Sequence, residues 1–294
     1  MEIVTVSYSW QMGKIEHVSD TALMVAAFRA IENDRPDGLI RDPFASVLAG
    51  DKGMAIARGA SAFEWMSFGV GGRTRFIDDL VLCVVNGNSV RTVVNLGAGL
   101  DTRPWRMDLP QDLRWIEVDF PAMLDYKASR LADHQPRCRI ERIAADLSNP
   151  EERERIFEAV GKSPSLMIAE GLLMYLSRQT VTALASEPAD QTGVYWWIVD
   201  ISAIALMRST HGDVVQAIEA VRAQDHLEAR EILNVIFAHG WKTDVFRSYI
   251  RDVPALSWER VAKIMESNPV PADQSPPSDD PSGVYLLERS PANA

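Results

Sequence analysis

Cysteine is scarce in this chain: Cys83 and Cys138 are the two thiols in 294 residues, and their spacing fits no metal-ligand pattern. Nothing points to a disulfide framework, so a reducing compartment, the cytoplasm, is the expectation. Positive charge is also short. Against 41 Asp and Glu stand 30 Lys and Arg, a formal charge of −11, and a field of that sign repels phosphate backbones, which argues against nucleic acid as a partner. No apolar run approaches the roughly 18 residues that a membrane helix needs. Met1-Glu2-Ile3-Val4 lacks the basic start and apolar core of a signal peptide. The histidines are few and scattered: His17, His134, His211, His226 and His239 form no recognisable acid–base pair.

What remains is an ordinary soluble composition, 47% hydrophobic and 24% charged, on a length that suits one large domain with a cap. Apolar residues at three- and four-residue steps, Leu23, Ala26, Ala27, Ala30 and Ile31, predict a helix over 20–34. Asp42-Pro43 opens a short helical stretch, and a further helix is expected from Thr74 to Val85. From Thr92 the texture changes to alternation. Strands are expected at 92–96, 114–118, 138–144, 165–169 and 194–200, with helices between them at 121–133, 150–160 and 177–187. Asn149-Pro150-Glu151-Glu152 opens the second of these with a cap, a first-turn proline and acids facing the helix dipole. Alternation of this kind means a parallel sheet covered on both faces. Residues 202–239 read as helical throughout, an insertion. Period-two alternation at 242–249 and a final run at 283–288 predict two late strands and an antiparallel edge. A Pro/Ser/Asp-rich linker, expected to be mobile, runs between them from Pro269 to Pro281. The domain reading is therefore a helical cap over 1–88 and an α/β core over 89–294 with its insertion at about 202–239.

Ligands of open α/β sheets bind outside the carboxyl ends of the strands. The first strand runs into Gly97-Ala98-Gly99, whose glycines permit positive φ and close approach of a ligand, ahead of a helix-compatible segment. The dinucleotide fingerprint would place a third glycine where Thr102 stands, so the match to nicotinamide binding is partial. The second strand ends at Glu117 and Asp119, followed by Phe120; the third is followed by Asp146 and Leu147; the fourth by Glu170 and Gly171. Asp119 lies twenty-two residues beyond Gly97, the spacing at which a carboxylate reaches both ribose hydroxyls. Each acid alone reads equally well as a solvated strand end or a turn residue. Converging on one crevice, they point to a nucleoside-bearing ligand.

These segments resemble the leucine carboxyl methyltransferase family. The likeness is carried by Val94-Asn95-Leu96-Gly97-Ala98-Gly99-Leu100-Asp101-Thr102-Arg103, by Glu117-Val118-Asp119-Phe120-Pro121, by Ala145-Asp146-Leu147, and by Ala169-Glu170-Gly171-Leu172-Leu173-Met174-Tyr175-Leu176. Thr21–Glu32, Asp42-Pro43-Phe44-Ala45 and Arg73–Asp78 are similar too, so the resemblance covers roughly 18–200, and the last third matches loosely. It implies a class I, Rossmann-like methyltransferase fold: a mostly parallel seven-stranded sheet with an antiparallel edge strand. It also implies S-adenosyl-L-methionine as cofactor. By that likeness Gly97, Ala98 and Gly99 pack against the methionine portion, Asp119 with Phe120 beside it holds the ribose, and Asp146 with the Leu147 backbone reads the adenine. Glu170 lies near the cofactor's amino group, and Arg73, assisted by Arg29, grips its carboxylate through a two-pronged guanidinium. Read without the family, Arg73, Arg75 and Arg103 would be surface or structural ion-pair residues.

The acceptor is expected to be a small molecule. A carboxylate is already ionised at neutral pH, so an enzyme need only align it and strip its water; a phenol needs a base. The family likeness favours a carboxyl oxygen and a methyl ester, including those of polyketide-type metabolites, with phenolic or hydroxyl methylation as the alternative. Tyr175, after the fourth strand, is the candidate for the catalytic position, with a core aromatic as the other reading. Trp196 and Trp197, consecutive in a strand, must face opposite sides. A nicotinamide-dependent oxidoreductase and a non-catalytic nucleoside-binding regulator are the competing classes, and Thr102 counts against the first.

Overall fold

The computed structural model describes residues 18–203, 206–208, 214–267, 269–270 and 276–289. Strand β1 (Thr92–Leu96) is buried along its whole length because both its neighbours are parallel strands and both its faces are covered by helices. Around it the sheet has seven strands in the order β3-β2-β1-β4-β5-β7-β6, with β2 (Arg114–Asp119), β3 (Arg139–Ala144), β4 (Ser165–Ala169), β5 (Val194–Ile201), β6 (Lys242–Ser248) and β7 (Gly283–Glu288). Strand β7 is the reversed one, antiparallel to both β5 and β6, and it sits one place in from the edge. The order changes direction between β1 and β4, which fixes the switch-point crevice there.

Helices α4 (Arg103–Arg106) and α5 (Pro121–Arg130) follow β1 and β2; one face of the sheet carries α6 (Pro150–Val160), α7 (Arg178–Ser186) and the helix Ala229–Ala238, packed around Ile156, Leu184, Trp197 and Ile236. Trp197 is fully buried and meets Trp241 edge-on with ring centroids 5.4 Å apart; Trp196 lies on the opposite face, half-buried. The other face is covered by α3 (Phe63–Gly87) and the helices Asp252–Leu256 and Trp258–Ser267. Helices α1 (Val18–Asp34) and α2 (Ala45–Gly59) form a third cluster around Phe28, Leu48 and Met66, joined by Met207, Val215 and Ile218 of the insertion. Helix α6 starts as its sequence predicts, the Asn149 side chain accepting from the Glu151 N–H. No helix among the described residues is long and apolar enough to cross a membrane.

The structure corrects the sequence reading in three places. Helix α3 begins at Phe63 rather than Thr74. Its glycines discourage a helix locally but serve close packing: a Cβ at Gly71 would come 2.9 Å from Glu32 Oε2, and one at Gly72 would come 2.7 Å from Val253. The stretch 202–239 is not one helical run. Residues 221–228 are turns, tied by an isolated bridge between Ser177 and His226, and 204–205 and 209–213 lie outside the described residues. The linker expected to be mobile is fastened at its C-terminal end. Pro281 O accepts from Tyr285 Oη at 2.8 Å and Asp279 Oδ2 from Arg230 Nη2 at 2.6 Å, while residues 271–275 lie outside the described set.

A buried clamp joins the first helix to the last third. Glu32 receives two guanidinium N–H groups of Arg260, the Ser67 hydroxyl at 2.7 Å and the Leu39 N–H at 3.1 Å. Arg260 lies 5.0 Å over the Phe68 ring, and both charged residues are sealed from solvent.

Candidate functional site

Beyond Leu96 the chain turns through Gly97, at φ +61°, and Gly99, at φ +43°, conformations that L side chains resist. A Cβ at Gly97 would also come 2.8 Å from Leu172 Cδ1, so this turn and the β4 turn touch. Ala98 N–H donates to Val118 O at 3.0 Å, extending the β1–β2 ladder past the last strand residue. Asp119, at the tip of β2, folds back on this turn. Its Oδ2 accepts from the Gly99 N–H and its Oδ1 from the Phe120 N–H, both at 2.7 Å. Burial pushes the Asp119 carboxyl above its ordinary range, against the pull of these two amides. The Phe120 side chain beside it is 53% exposed, an aromatic plate at the mouth of the turn.

At the tip of β3, Ala145 N–H donates to Asp119 O, which holds this turn against β2. Asp146 is exposed; its Oδ1 accepts from the Ser148 N–H at 2.8 Å, an Asx turn, and its own N–H donates to Glu152 Oε2. Leu147 is buried, its carbonyl already accepting from Arg153 at 2.8 Å. Asp146, Asp119 and the glycine turn therefore stand side by side in the order of the strands.

On the other side of the switch point a chain of ion pairs runs through the molecule. Arg29 Nε reaches Asp42 Oδ2 at 3.0 Å, and its Nη2 donates to Leu100 O at 2.6 Å. Asp42 also accepts from Thr102 Oγ1, which is why a threonine occupies the expected glycine position. Arg106 bridges Asp42 and Asp78; Arg103 bridges Asp78, Asp101 and Glu170. Arg73 Nε lies 3.0 Å from Glu170 Oε1 and its Nη1 3.4 Å from Asp200 Oδ2. The Nε–H is buried but not aimed at Glu170, and it has no hydrogen-bond acceptor among the described residues. Asp200 ends the line, accepting from the Gly171 N–H and from Tyr249 Oη at 3.5 Å. Five carboxylates, Asp42, Asp78, Asp101, Glu170 and Asp200, thus share four guanidiniums. Arg103 and Arg73 hold the Glu170 carboxyl down at about 2, against the burial that would raise it; burial dominates at Asp200, whose carboxyl is raised.

A depressed carboxyl stabilises the fold above its unfolded pKa and loses that contribution as pH falls towards its folded one. For Glu170 the window runs from its ordinary 4.5 down to about 2. The stability advantage of wild type over Glu170→Gln should be full near pH 7, with on the order of 2 kcal/mol of it gone by about pH 3. Urea melts of both proteins across that range measure it, and a difference independent of pH would show that Glu170 is not held ionised by its arginines.

Arg29 and Arg73 thus belong to one ionic line with Glu170, which the sequence reading singled out one by one. Arg75 pairs instead with Asp79 on the surface. Tyr175 hydrogen-bonds Thr21 of α1, and burial raises its hydroxyl pKa. Among the described histidines, His134 is exposed against Phe44, the His226 ring bonds Ala223 O of its own turn, and the His239 ring bonds Val235 O of the helix it follows; His17 and His211 lie outside the described residues. Asp42, Asp78, Asp101, Asp200 and Tyr249 escaped the sequence reading. Asp200 alone carried a signal, closing a predicted strand as Asp119 does. Two open clefts of about 450 and 570 Å³ are present, one beside α3 at Arg41 and Asp79, where Asp78 and Arg106 of the ionic line reach it, and one between α6 and α7. Neither is lined by the glycine turn or the strand-end acids.

Residues 22–188 match the family model for leucine carboxyl methyltransferases. A Streptomyces avermitilis protein provisionally named an S-adenosyl-L-methionine-dependent methyltransferase is 38% identical over 183 residues, 58% of this chain and 64% of the relative. A similarly named Mycobacteroides abscessus protein is 38% identical over 176 residues, 54% of this chain and 57% of its own. The match therefore spans less than two thirds of these relatives' length. Among solved structures, a DUF574-family protein of Streptomyces avermitilis superposes with a TM-score of 0.54 at 12% identity, covering 91% of this chain and 97% of its own. A protein of Thermobifida fusca, titled provisionally as a methyltransferase, does so at 0.52 and 15% identity, covering 97% of each. At such identity the structural likeness shows the fold alone.

Proposed function

The chain belongs to the leucine carboxyl methyltransferase family, and from that premise we propose that it transfers the methyl group of S-adenosylmethionine to an oxygen of a small-molecule acceptor, in the first place a carboxylate. The observation that carries the reading is the clasp between the β2-tip carboxylate and the β1 glycine turn, Asp119 to Gly99 at 2.7 Å. Two backbone amides fix the Asp119 carboxylate in place, and its remaining lone pairs suit a ribose diol. The exposed Phe120 ring offers an apolar flank for a base, next to the turn of Asp146 and Leu147. Arg73 holds a buried N–H without an acceptor, a place for the carboxylate of an amino-acid tail. The residues present fit an adenosyl amino acid.

When bound, the cofactor supplies an electrophilic methyl group on a positively charged sulfur. The chain's part is to place the acceptor oxygen in line and keep water from it. The Tyr175 hydroxyl, raised by burial, stays protonated and acts as an orienting donor rather than a base. No described histidine stands at the strand ends. An acceptor that arrives already ionised needs no proton taken from it, and this favours a carboxylate over a phenol. Helices α1 and α2 of the cap and the described part of the insertion, which share one apolar cluster at Met24, Met207, Val215 and Ile218, enclose the acceptor and set its identity.

Titration calorimetry tests the reading without knowledge of the acceptor. S-Adenosylhomocysteine should bind with a Kd in the micromolar range, about −8 kcal/mol, and NAD should give no heat. Tight NAD binding with no response to the sulfur nucleoside would reverse the assignment. A screen of carboxylic and phenolic metabolites with labelled methyl donor then decides the acceptor class.

A further inference from the structure

Resting on that reading, we infer that Asp200 is the charge-selective residue of the donor site: it supplies the negative charge that favours a cation at the sulfur position. Two observations carry this. Among the described residues the ion-pair line holds one carboxylate more than it has guanidiniums, and the line ends at Asp200, whose single basic partner there, Arg73, is shared with Glu170. Every other acid of the line accepts from at least one guanidinium at 3.0 Å or less, whereas Asp200 stands 3.4 Å from its own. The uncompensated charge therefore resides at the β5 tip.

The sheet order places that charge relative to the ligand. Strands lie about 4.8 Å apart, so the ribose acid on β2, the glycine turn on β1, the Glu170 turn on β4 and Asp200 on β5 form a row in that order. A nucleoside whose ribose meets Asp119 and whose chain crosses the glycine turn brings its sulfur towards the β4 and β5 tips. Asp200 bonds the Gly171 N–H from behind, and at Gly171, φ +59°, a Cβ would meet nothing closer than Arg73 Nη1 at 3.7 Å. The carboxylate acts across this open turn by Coulomb attraction rather than by contact, because the attraction falls only with the first power of separation and is weakly screened away from bulk water. The consequence is directional. A cationic sulfur is favoured over the neutral thioether left after transfer, so the residue helps tell substrate from product.

The test compares two probes with the same adenosine and the same amino-acid tail: sinefungin, which carries an ammonium on the carbon that replaces the sulfur, and S-adenosylhomocysteine, which is neutral there. Calorimetry gives both dissociation constants for wild type, Asp200→Asn, Asp200→Ser and Asp200→Glu. The two neutral variants should weaken sinefungin by about tenfold relative to the homocysteine compound, and Asp200→Glu should keep the wild-type ratio. Two neutral variants guard against one failing to fold, which a thermal melt reports. An equal loss for both probes would mean that Asp200 merely supports the turn, and an unchanged ratio would remove its electrostatic role; either overturns the inference. Wild-type protein that bound neither probe would overturn the methyl-donor reading itself, and this inference with it.

Discussion

Asp119→Ala should lose more than a hundredfold in affinity for S-adenosylhomocysteine, about 3 kcal/mol, while remaining folded. Hydrogen bonds to a charged acceptor contribute roughly 1.5–3 kcal/mol each, and the proposed ribose diol would make two. The side chain also holds the Gly99 N–H at 2.7 Å, so its removal loosens the glycine turn that the ligand must cross. Asp119→Asn separates the two effects. It keeps an acceptor for Gly99 but offers the diol a neutral oxygen, and should fall between wild type and alanine. Calorimetry measures all three, with a thermal melt to confirm folding. An unchanged dissociation constant in the alanine variant would place the ribose elsewhere.

The second large effect concerns stability. Arg260→Ala strips the guanidinium from a carboxylate that has no exposure to water. Breaking one side of a buried pair costs roughly 3–5 kcal/mol, because the remaining charge stays behind unpaired. In a domain of this size that lowers Tm by about 10 °C. Replacing both partners, Glu32→Leu with Arg260→Met, should recover much of the loss, since no charge is stranded. Ser67 and the Leu39 N–H then lose an acceptor, which keeps the recovery incomplete. Denaturant melts of the single and double variants check this, and a double variant no better than Arg260→Ala would show that the clamp acts through packing instead.

The core of the sheet was legible because its strands are short apolar runs ending in glycine or an acid. Strands 92–96 and 165–169 match β1 and β4 residue for residue. Helix α6 was legible for a different reason: Asn149, Pro150 and two acids write its start into four consecutive residues. Where tertiary contact overrides local preference, the reading failed. Gly71 and Gly72 look like a break, and the helix runs through them because Glu32 and Val253 pack where a side chain would be. The strand-end acids were visible as single residues, but the ionic line linking Arg29 to Asp200 was not. Its members are drawn from α1, the 42 loop, α3, the β1 turn and the tips of β4 and β5, and no spacing rule connects them. Asp78 shows this best: one acid on a helix with several, distinguished only by the two arginines that fold onto it.

The Glu32–Arg260 pair also bears on how the chain is made. Its partners are separated by 228 positions, so during synthesis the first helix leaves the ribosome long before its counter-charge exists. Until residue 260 emerges, burying Glu32 would leave its charge without a guanidinium, so the closing of α1 on α3 seen in the finished protein is disfavoured. Assembly of the final architecture is thereby deferred to the last stage of translation, and a truncated product ending before that helix would expose the apolar surface that the helix covers.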